Sequence, residues 1–554
     1  MGMVERMGWT DPWFVSAHRA SSGVGGWLAA SVALVALGSS ACRPECPPRA
    51  GSDEWTNASC TVSVEPDVLT SPANAVELTS AVRAAAAGGK RVRMTGSGHS
   101  YSDAAVSREH LLLPQKLNRV LELERAELRP EIAADPHLVR VQSGITLREL
   151  NRALAERGLA LENLGGYDAQ TLAGVMMTAT HGSGLAFGPI VSQVVSIQIV
   201  SDGGELLQIE PSAGITDAAR FSGRLHEADG DSLPVRLIQQ DDVFHAVGVS
   251  MGSMGVVYAV VVKTVDAYWI RERRSVVDWE ELAKPGGFLA RYLAAPGGAS
   301  FPDHVEVTIN PYPAHPGKST HAALLTERWR LAAAPPGTPE NRQRGLLGSG
   351  NLFADPLVRD WTEKALVHHL DQAKPLALGQ TLQGFLGVLK DDEYVAPSYE
   401  VFNLGDINRF RVYGIEVAVD LGQTFDAAAL MFRLAGEQLE EGRHHSVPVS
   451  LRFVKAADAF LAMQHGRNTT MIEVGMLVEA SGSEELLEAY EKEYIRALGA
   501  RPHWGLDLSI LKSRAEVERL YPRFGDWYGV YRTLNAHGTF DGDLTDRLGI
   551  SMGD

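Results

Sequence analysis

The sequence predicts a mixed α+β protein of two domains, and three features carry that expectation. Between residues 62 and 268 helical stretches alternate with short β-branched runs; the texture changes around Tyr268; and from there to residue 500 strand-like runs are separated by proline-rich loops such as "LAAAPPGTPENRQRG". A chain of 554 residues is too long for one ordinary core. The second region reads as a substrate domain with a large antiparallel sheet and flanking helices.

The elements follow from local pattern. "SPANAVELTSAVRAAAAGG" sets Leu78, Ala81, Val82 and Ala85 at helical spacing, with Pro72 near the start and Gly88 past the end. "RVRM" and "LVRVQSG" read as strands, and "TLRELNRALAERG" as a helix opened by a Thr146/Glu149 capping box and closed at Gly158. "VVSIQIVSDGGELLQI" reads as two strands joined at Asp202, Gly203 and Gly204, and "GVVYAVVVKTV" as a strongly β-branched strand. In the second region "HVEVTI", "RVYGIEVAVDL" and "VPVSLRFV" have strand texture.

Acidic residues outnumber basic ones by 68 to 51, a net charge of -17, which repels a phosphate backbone and argues against nucleic acid as partner. The amino terminus has the order of an export signal: Arg6 and Arg19, the apolar run "WLAASVALVAL", then "GSSAC". A membrane anchor is the alternative, although the uninterrupted run is short for a span. The three cysteines, Cys42, Cys46 and Cys60, all precede the first domain. Cys42 would be the first mature residue, the position of a lipoprotein's lipid, although Ser39 stands where leucine is usual; Cys46 and Cys60 are the expected disulfide. Residues 1–41 thus read as signal or anchor and 42–61 as a tether.

The stretch "RVRMTGSGHSYSD" leaves a strand, enters a glycine-rich turn and places His99 inside it. Successive N–H groups in such a turn form a concave site for a pyrophosphate. The dinucleotide fingerprint G-x-G-x-x-G is not met, since Tyr101 stands at the third glycine position, and the lysine of a phosphate-binding loop is absent. A second glycine, threonine and histidine-rich cluster, "DAQTLAGVMMTATHGSG", lies about eighty residues on, and the two could grip the ends of one extended diphosphate cofactor.

Together with "RPHWGLDLSI" and "LNAHGTFDGDLTDRLG", these two clusters resemble the vanillyl-alcohol-oxidase, or PCMH-type, FAD-linked oxidoreductases, on the branch with aldonolactone oxidases, alditol oxidase and type II cholesterol oxidase. The resemblance implies an FAD-binding domain of two subdomains at 62–268, a substrate domain at 269–500, and a segment at 501–554 returning to the flavin. It implies that His99 is joined covalently to FAD, while Thr95, Gly96, Ser97, Gly98, Ser100, Tyr101, Ser102 and Asp103 wrap the pyrophosphate. Gly174, Thr178, His181, Gly182, Ser183 and Gly184 would line the other side, and Gly255, Val256 and Val257 the adenine end.

The reaction implied is oxidation of a CH–OH group of a polyol, aldonolactone or more apolar alcohol, with dioxygen as electron acceptor. A dehydrogenase using a quinone or cytochrome, and a flavin protein with altered catalysis, remain alternatives. Relatives on this branch carry Glu-x-Arg and His-Trp-Gly-Lys motifs. Here Arg452 is kept but Ser450 replaces the glutamate; His503 is kept but Leu506 replaces the lysine. Arg452 is expected to stabilise negative charge, His503 to serve as general base and to contact the flavin, and Glu416 to join the pocket. The two replacements point to a less hydroxylated substrate. The pairs His368/His369 and His444/His445 direct their rings apart, so no metal site is expected.

Overall fold

The structure is a computed structural model and describes residues 54–227, 231–295, 301–337, 356–403 and 410–553. The expected signal, Cys42 and most of the tether fall outside the described residues. Cys60 is disulfide-bonded; its expected partner, Cys46, also lies outside them. Among the described residues no helix is long and apolar enough to cross a membrane.

A three-stranded parallel sheet opens the first domain, with His110–Leu112 between Val68–Thr70 and Val92–Met94. The helix Ala75–Ala87 makes the crossover. Its first turn is capped by the Asn74 side chain, which accepts the Glu77 N–H, and it buries Leu78, Val82 and Ala85. The next helix, Leu147–Ala155, has the expected capping box between Thr146 and Glu149. A seven-stranded sheet follows, with Val256–Lys263 between Val194–Val200 and Leu138–Gln142. The two runs flanking Asp202 pair antiparallel as expected, and the β-branched run is buried up to Lys263.

After Tyr268, Trp269–Asp278 is the first strand of an eight-stranded sheet whose pairings are all antiparallel. Period-2 alternation gives this sheet two different faces. Val305, Val307, Leu451, Phe453, Ile472, Val474, Ile415 and Val417 pack into an apolar core with helices Thr424–Glu440 and Ser483–Leu498. The alternate positions carry Glu306, Thr308, Ser450, Arg452, Glu473 and Glu416, which the same register places on the opposite face.

The carboxy-terminal segment begins one strand later than expected. Arg501–Pro502 still pairs with Val412–Asp420 in the substrate-domain sheet, and only then does the chain turn back. Five bonds from three side chains hold the turn. The Arg501 guanidinium donates to the Leu520, Met463 and His465 carbonyls, the Tyr521 hydroxyl to the Pro502 carbonyl, and the Trp504 indole to the Leu461 carbonyl. Trp504, Tyr521, Phe524, Trp527 and Tyr531 then join the core of the first domain. Of these, Trp527 and Tyr531 stack with centroids 5.5 Å apart, a contact worth about 1 kcal/mol beyond its buried area.

Candidate active site

The turn after Val92–Met94 forms one wall of a cleft holding about 740 Å³ of space, its solvent mouth included. Thr95, Gly96, Ser97, Gly98, His99 and Ser100 line it on that side; Gly174, Thr178 and Thr180 face them, and His503, Gly505 and Leu506 close one end. The glycines are required by contact. A Cβ on Gly96 would lie 2.7 Å from Thr171 Oγ1, and Gly98 has φ +78 with Trp55 3.3 Å from where a Cβ would stand. Ser97 Oγ accepts the Thr171 N–H at 3.2 Å, tying the turn to the start of helix Leu172–Met177.

Two observations fit this cleft to a diphosphate cofactor. Thr95 Oγ1 is buried on its wall with no hydrogen-bond partner among the described residues, and hydroxyl and backbone N–H groups of the glycine-rich turn stand beside it, with apolar Met94, Val175 and Met177 completing the lining. His99 lines the same wall with its ring edge-on to Tyr167 at 4.4 Å. Burial pulls its pKa down to about 4, so it presents a neutral imidazole.

Not every expected residue lines this cleft. Tyr101 gives its N–H to the Gly505 carbonyl at 2.9 Å, Ser102 Oγ donates to the Trp504 carbonyl at 3.0 Å, and Asp103 takes a bidentate contact from Arg547 at 2.7 and 2.9 Å. These three fasten the carboxy-terminal segment over the turn. Gly182 packs against Leu164 and Asn163, while Ser183 and Gly184 splice the two domains. Ser183 Oγ accepts the Phe453 N–H at 3.1 Å and donates to the Val305 carbonyl, while the Gly184 N–H donates to the Phe453 carbonyl at 2.7 Å. Gly255, Val256 and Val257 lie against or within the seven-stranded sheet, Gly255 at φ +144 under the Val200 carbonyl. From that loop Met251 and Gly252 reach the cleft.

Behind the closed end sits a charged cluster that the sequence scatters over more than three hundred positions. Glu416 is buried, with Oε2 3.2 Å from His181 Nε2 and Oε1 3.3 Å from Arg452 Nη1. Arg452 Nη1 also reaches Glu473 Oε2 at 2.6 Å. Burial opposes a charge on Glu416, yet His181, His503 and Arg452 outweigh it and hold its carboxyl well below the ordinary range. Burial likewise opposes the Arg452 charge, and Glu473, Glu416 and Glu306 more than offset it. Removing one member of such a set costs far more than the set contributes.

The hydrogen bonds assign protons. His181 Nδ1 faces the Gly182 carbonyl at 2.8 Å, so it donates there, and Nε2 lies 3.2 Å from Glu416 Oε2. His503 differs. Gly505 gives its N–H to His503 Nδ1 at 3.0 Å, leaving the proton on Nε2, and burial pulls the pKa down to about 4. His503 therefore presents a donor, and the expectation of a general base at this position does not fit the tautomer. His181, Glu416 and His503 also bring three potential metal-ligating atoms within 4.8 Å of one another. The Arg452 guanidinium on the same carboxylate and the Gly505 N–H on His503 Nδ1 already occupy two of the positions a cation would need. His445 is hydrogen-bonded to the Tyr490 hydroxyl at 2.7 Å in the substrate-domain core, away from its neighbour His444.

Glu473, Arg93, Thr171, Met251 and Gly252 were not singled out by the sequence. Glu473 carries a signal in retrospect, as the single charge in the apolar strand "MIEVGML", whereas Arg93 shares "RVRM" with Arg91. Arg93 is buried under the cleft floor, donating to the Met251 carbonyl at 2.6 Å.

The FAD binding domain family matches residues 66–210, which hold both glycine-rich clusters, and the D-arabinono-1,4-lactone oxidase family matches 356–548, which hold Glu416, Arg452 and His503. The chain is similar to the PCMH-type FAD-linked oxidoreductases. Among its relatives, the L-gulono-1,4-lactone dehydrogenase of Mycobacterium tuberculosis is 25% identical over 89% of this chain and 98% of its own. The L-gulonolactone oxidase of Scyliorhinus torazame is 25% identical over 88% and 96%. The crystal structure of cholesterol oxidase from B. sterolicum shares the fold, with a TM-score of 0.65 at 13% identity over 92% of this chain and 99% of that one.

Proposed function

We propose that the protein is an FAD-dependent oxidoreductase that oxidises a CH–OH group of an alcohol or lactone, passing the electrons to dioxygen to give hydrogen peroxide, with FAD joined covalently through His99. One observation carries the reading: His503 lines the cleft and at the same time adjoins the Glu416 and Arg452 cluster, so a cofactor site and a proton-handling site share one wall. The relatives bearing lactone oxidase and dehydrogenase names support the substrate class. A neutral His99 at the cleft wall supports the covalent attachment.

Thr95, Gly96, Ser97, Gly98 and Ser100 would hold the cofactor from one side, and Gly174 and Thr178 from the other. When bound, FAD supplies the acceptor for the hydrogen and electron pair leaving the substrate carbon. The chain positions that carbon and manages the charge. His503 Nε2–H donates to the substrate oxygen, and Arg452 stabilises negative charge there as the hydroxyl proton leaves. The proton acceptor belongs to the carboxylates around Arg452, because both nitrogens of His503 are committed. Trp504, locked by its bond to Leu461, excludes water beneath His503.

Turnover of a panel of alditols, aldonolactones, simple alcohols and sterols tests the reading, followed in parallel by peroxide release and by reduction of an artificial dye. Peroxide stoichiometric with product is expected. Dye reduction without peroxide makes the enzyme a dehydrogenase, and no turnover with either acceptor overturns the proposal. Acid precipitation should leave yellow flavin in the pellet of the wild type and in the supernatant of His99→Ala. The order of residues 1–41 supports export, with Cys42 lipidated; membrane fractionation of a Cys42→Ser variant checks both.

A further inference from the structure

Four neighbouring strands place Thr308, Ser450, Glu473 and Glu416 side by side, each pair in direct register. Arg452 projects from the same face two residues beyond Ser450. This row is the polar face of the substrate-domain sheet, and its Glu416 end adjoins His503, which lines the cleft. Its members are not equivalent. Glu416 is 6% exposed with both oxygens engaged, one to His181 and one to Arg452. Glu306, nearby, is committed to Arg328 at 2.8 Å. Glu473 is 38% exposed, holds Arg452 through Oε2 alone, and its Oε1 makes no hydrogen bond among the described residues. Its charge also reaches the Tyr101 hydroxyl in the cofactor turn and helps raise that group's pKa, behind the larger effect of burial.

From this arrangement we infer that Glu473 is the carboxylate that meets the substrate: Oε1 accepts a hydrogen bond from a substrate hydroxyl while Oε2 orients Arg452. The inference rests on the oxidoreductase reading above. A serine at position 450 then leaves room for the hydroxyl that the carboxylate opposite receives, with Thr308 Oγ1 3.5 Å from Ser450 Oγ as the next polar group along the row. The replacement of glutamate by serine at 450 therefore does not empty the pocket of carboxylate. It moves the carboxylate one strand over, so the pocket keeps a hydroxyl acceptor on the sheet side while Leu506 supplies an apolar wall.

Glu473→Gln, Glu473→Asp and the exchanged pair Ser450→Glu/Glu473→Ser test this, with flavin content as the control for folding. For the best substrate of the panel, Glu473→Gln should raise KM at least tenfold, and the exchanged pair should recover most of that loss. A second readout needs no substrate. Loss of the negative charge beside Arg452 should raise the midpoint potential of the bound flavin in Glu473→Gln, while Glu473→Asp leaves it near the wild-type value. A KM within twofold of wild type together with an unchanged potential in Glu473→Gln overturns the inference. If the wild type oxidises nothing in the panel, the oxidoreductase reading fails, and the potential still decides whether Glu473 acts on the flavin through Arg452.

Discussion

Gly505 donates its backbone N–H to Nδ1 of His503, and that bond decides what the imidazole offers the cleft. With Nδ1 occupied, the remaining nitrogen carries hydrogen, so a glutamine can imitate the side chain and an alanine cannot. His503→Gln should keep activity within about tenfold of wild type, whereas His503→Ala should lose on the order of a hundredfold, the usual cost of removing a donor from a developing oxyanion. Steady-state kinetics of the two variants check this. Equal losses would mean that the residue acts as a base.

Arg452 neutralises two carboxylates at once. Arg452→Met leaves Glu416 buried against a neutral side chain and should cost about 3 kcal/mol of stability, with activity falling to background. Arg452→Lys keeps the charge but loses the planar fork and should fall between. Urea denaturation of the flavin-loaded proteins measures the difference.

Three buried histidines make the fold sensitive to acid. Burial holds His304 and His445 near 3 and His503 near 4, against 6.5 for an exposed imidazole. Between those values the unfolded chain binds protons that the folded chain refuses. Stability is therefore full above pH 6.5 and declines as the pH falls toward 4, by about 2 kcal/mol per histidine at pH 5. Denaturation midpoints at pH 7.5 and 5 report the loss; His304→Asn or His445→Asn should reduce the pH dependence even where it lowers the midpoint.

The bidentate contact of Asp103 with Arg547 joins the cofactor turn to the carboxy-terminal segment, 444 positions away. Asp103→Asn should cost about 1–2 kcal/mol, since hydrogen bonds between charged partners exceed neutral ones by about that amount. Limited proteolysis should then cut the carboxy-terminal segment earlier than in the wild type.

Gly98 carries φ +78 beside the Trp55 ring. Gly98→Ala adds strain of about 1–2 kcal/mol in a turn that must keep its shape to hold the cofactor. The ratio of visible to ultraviolet absorbance in the purified protein should drop, and unchanged flavin content would count against the turn as the cofactor's cradle.

The sequence by itself determined the local elements and the cofactor turn. Capping at Thr146, helical spacing at Leu78 and Val82, and β-branching over Val256–Lys263 act within a few residues and are legible without the fold. So is the glycine requirement around His99, which belongs to one short turn. Roles spread over the remainder were not legible in the same way. Tyr101, Ser102 and Asp103 continue the turn in sequence but face the returning carboxy-terminal segment in space, so adjacency to His99 did not make them cofactor ligands.

The charged cluster was settled only by tertiary structure, because strand register decides which carboxylates share a face. Position 450 suggested a pocket stripped of its acid; the register instead brings Glu473 directly across from Ser450 and within reach of Arg452. The proton on His503 was likewise out of reach, being set by a backbone N–H two residues on whose direction depends on how the segment folds over the cleft. A residue's type fixes the chemistry it can perform, and the partner that the fold places within 3 Å fixes which half of that chemistry remains available.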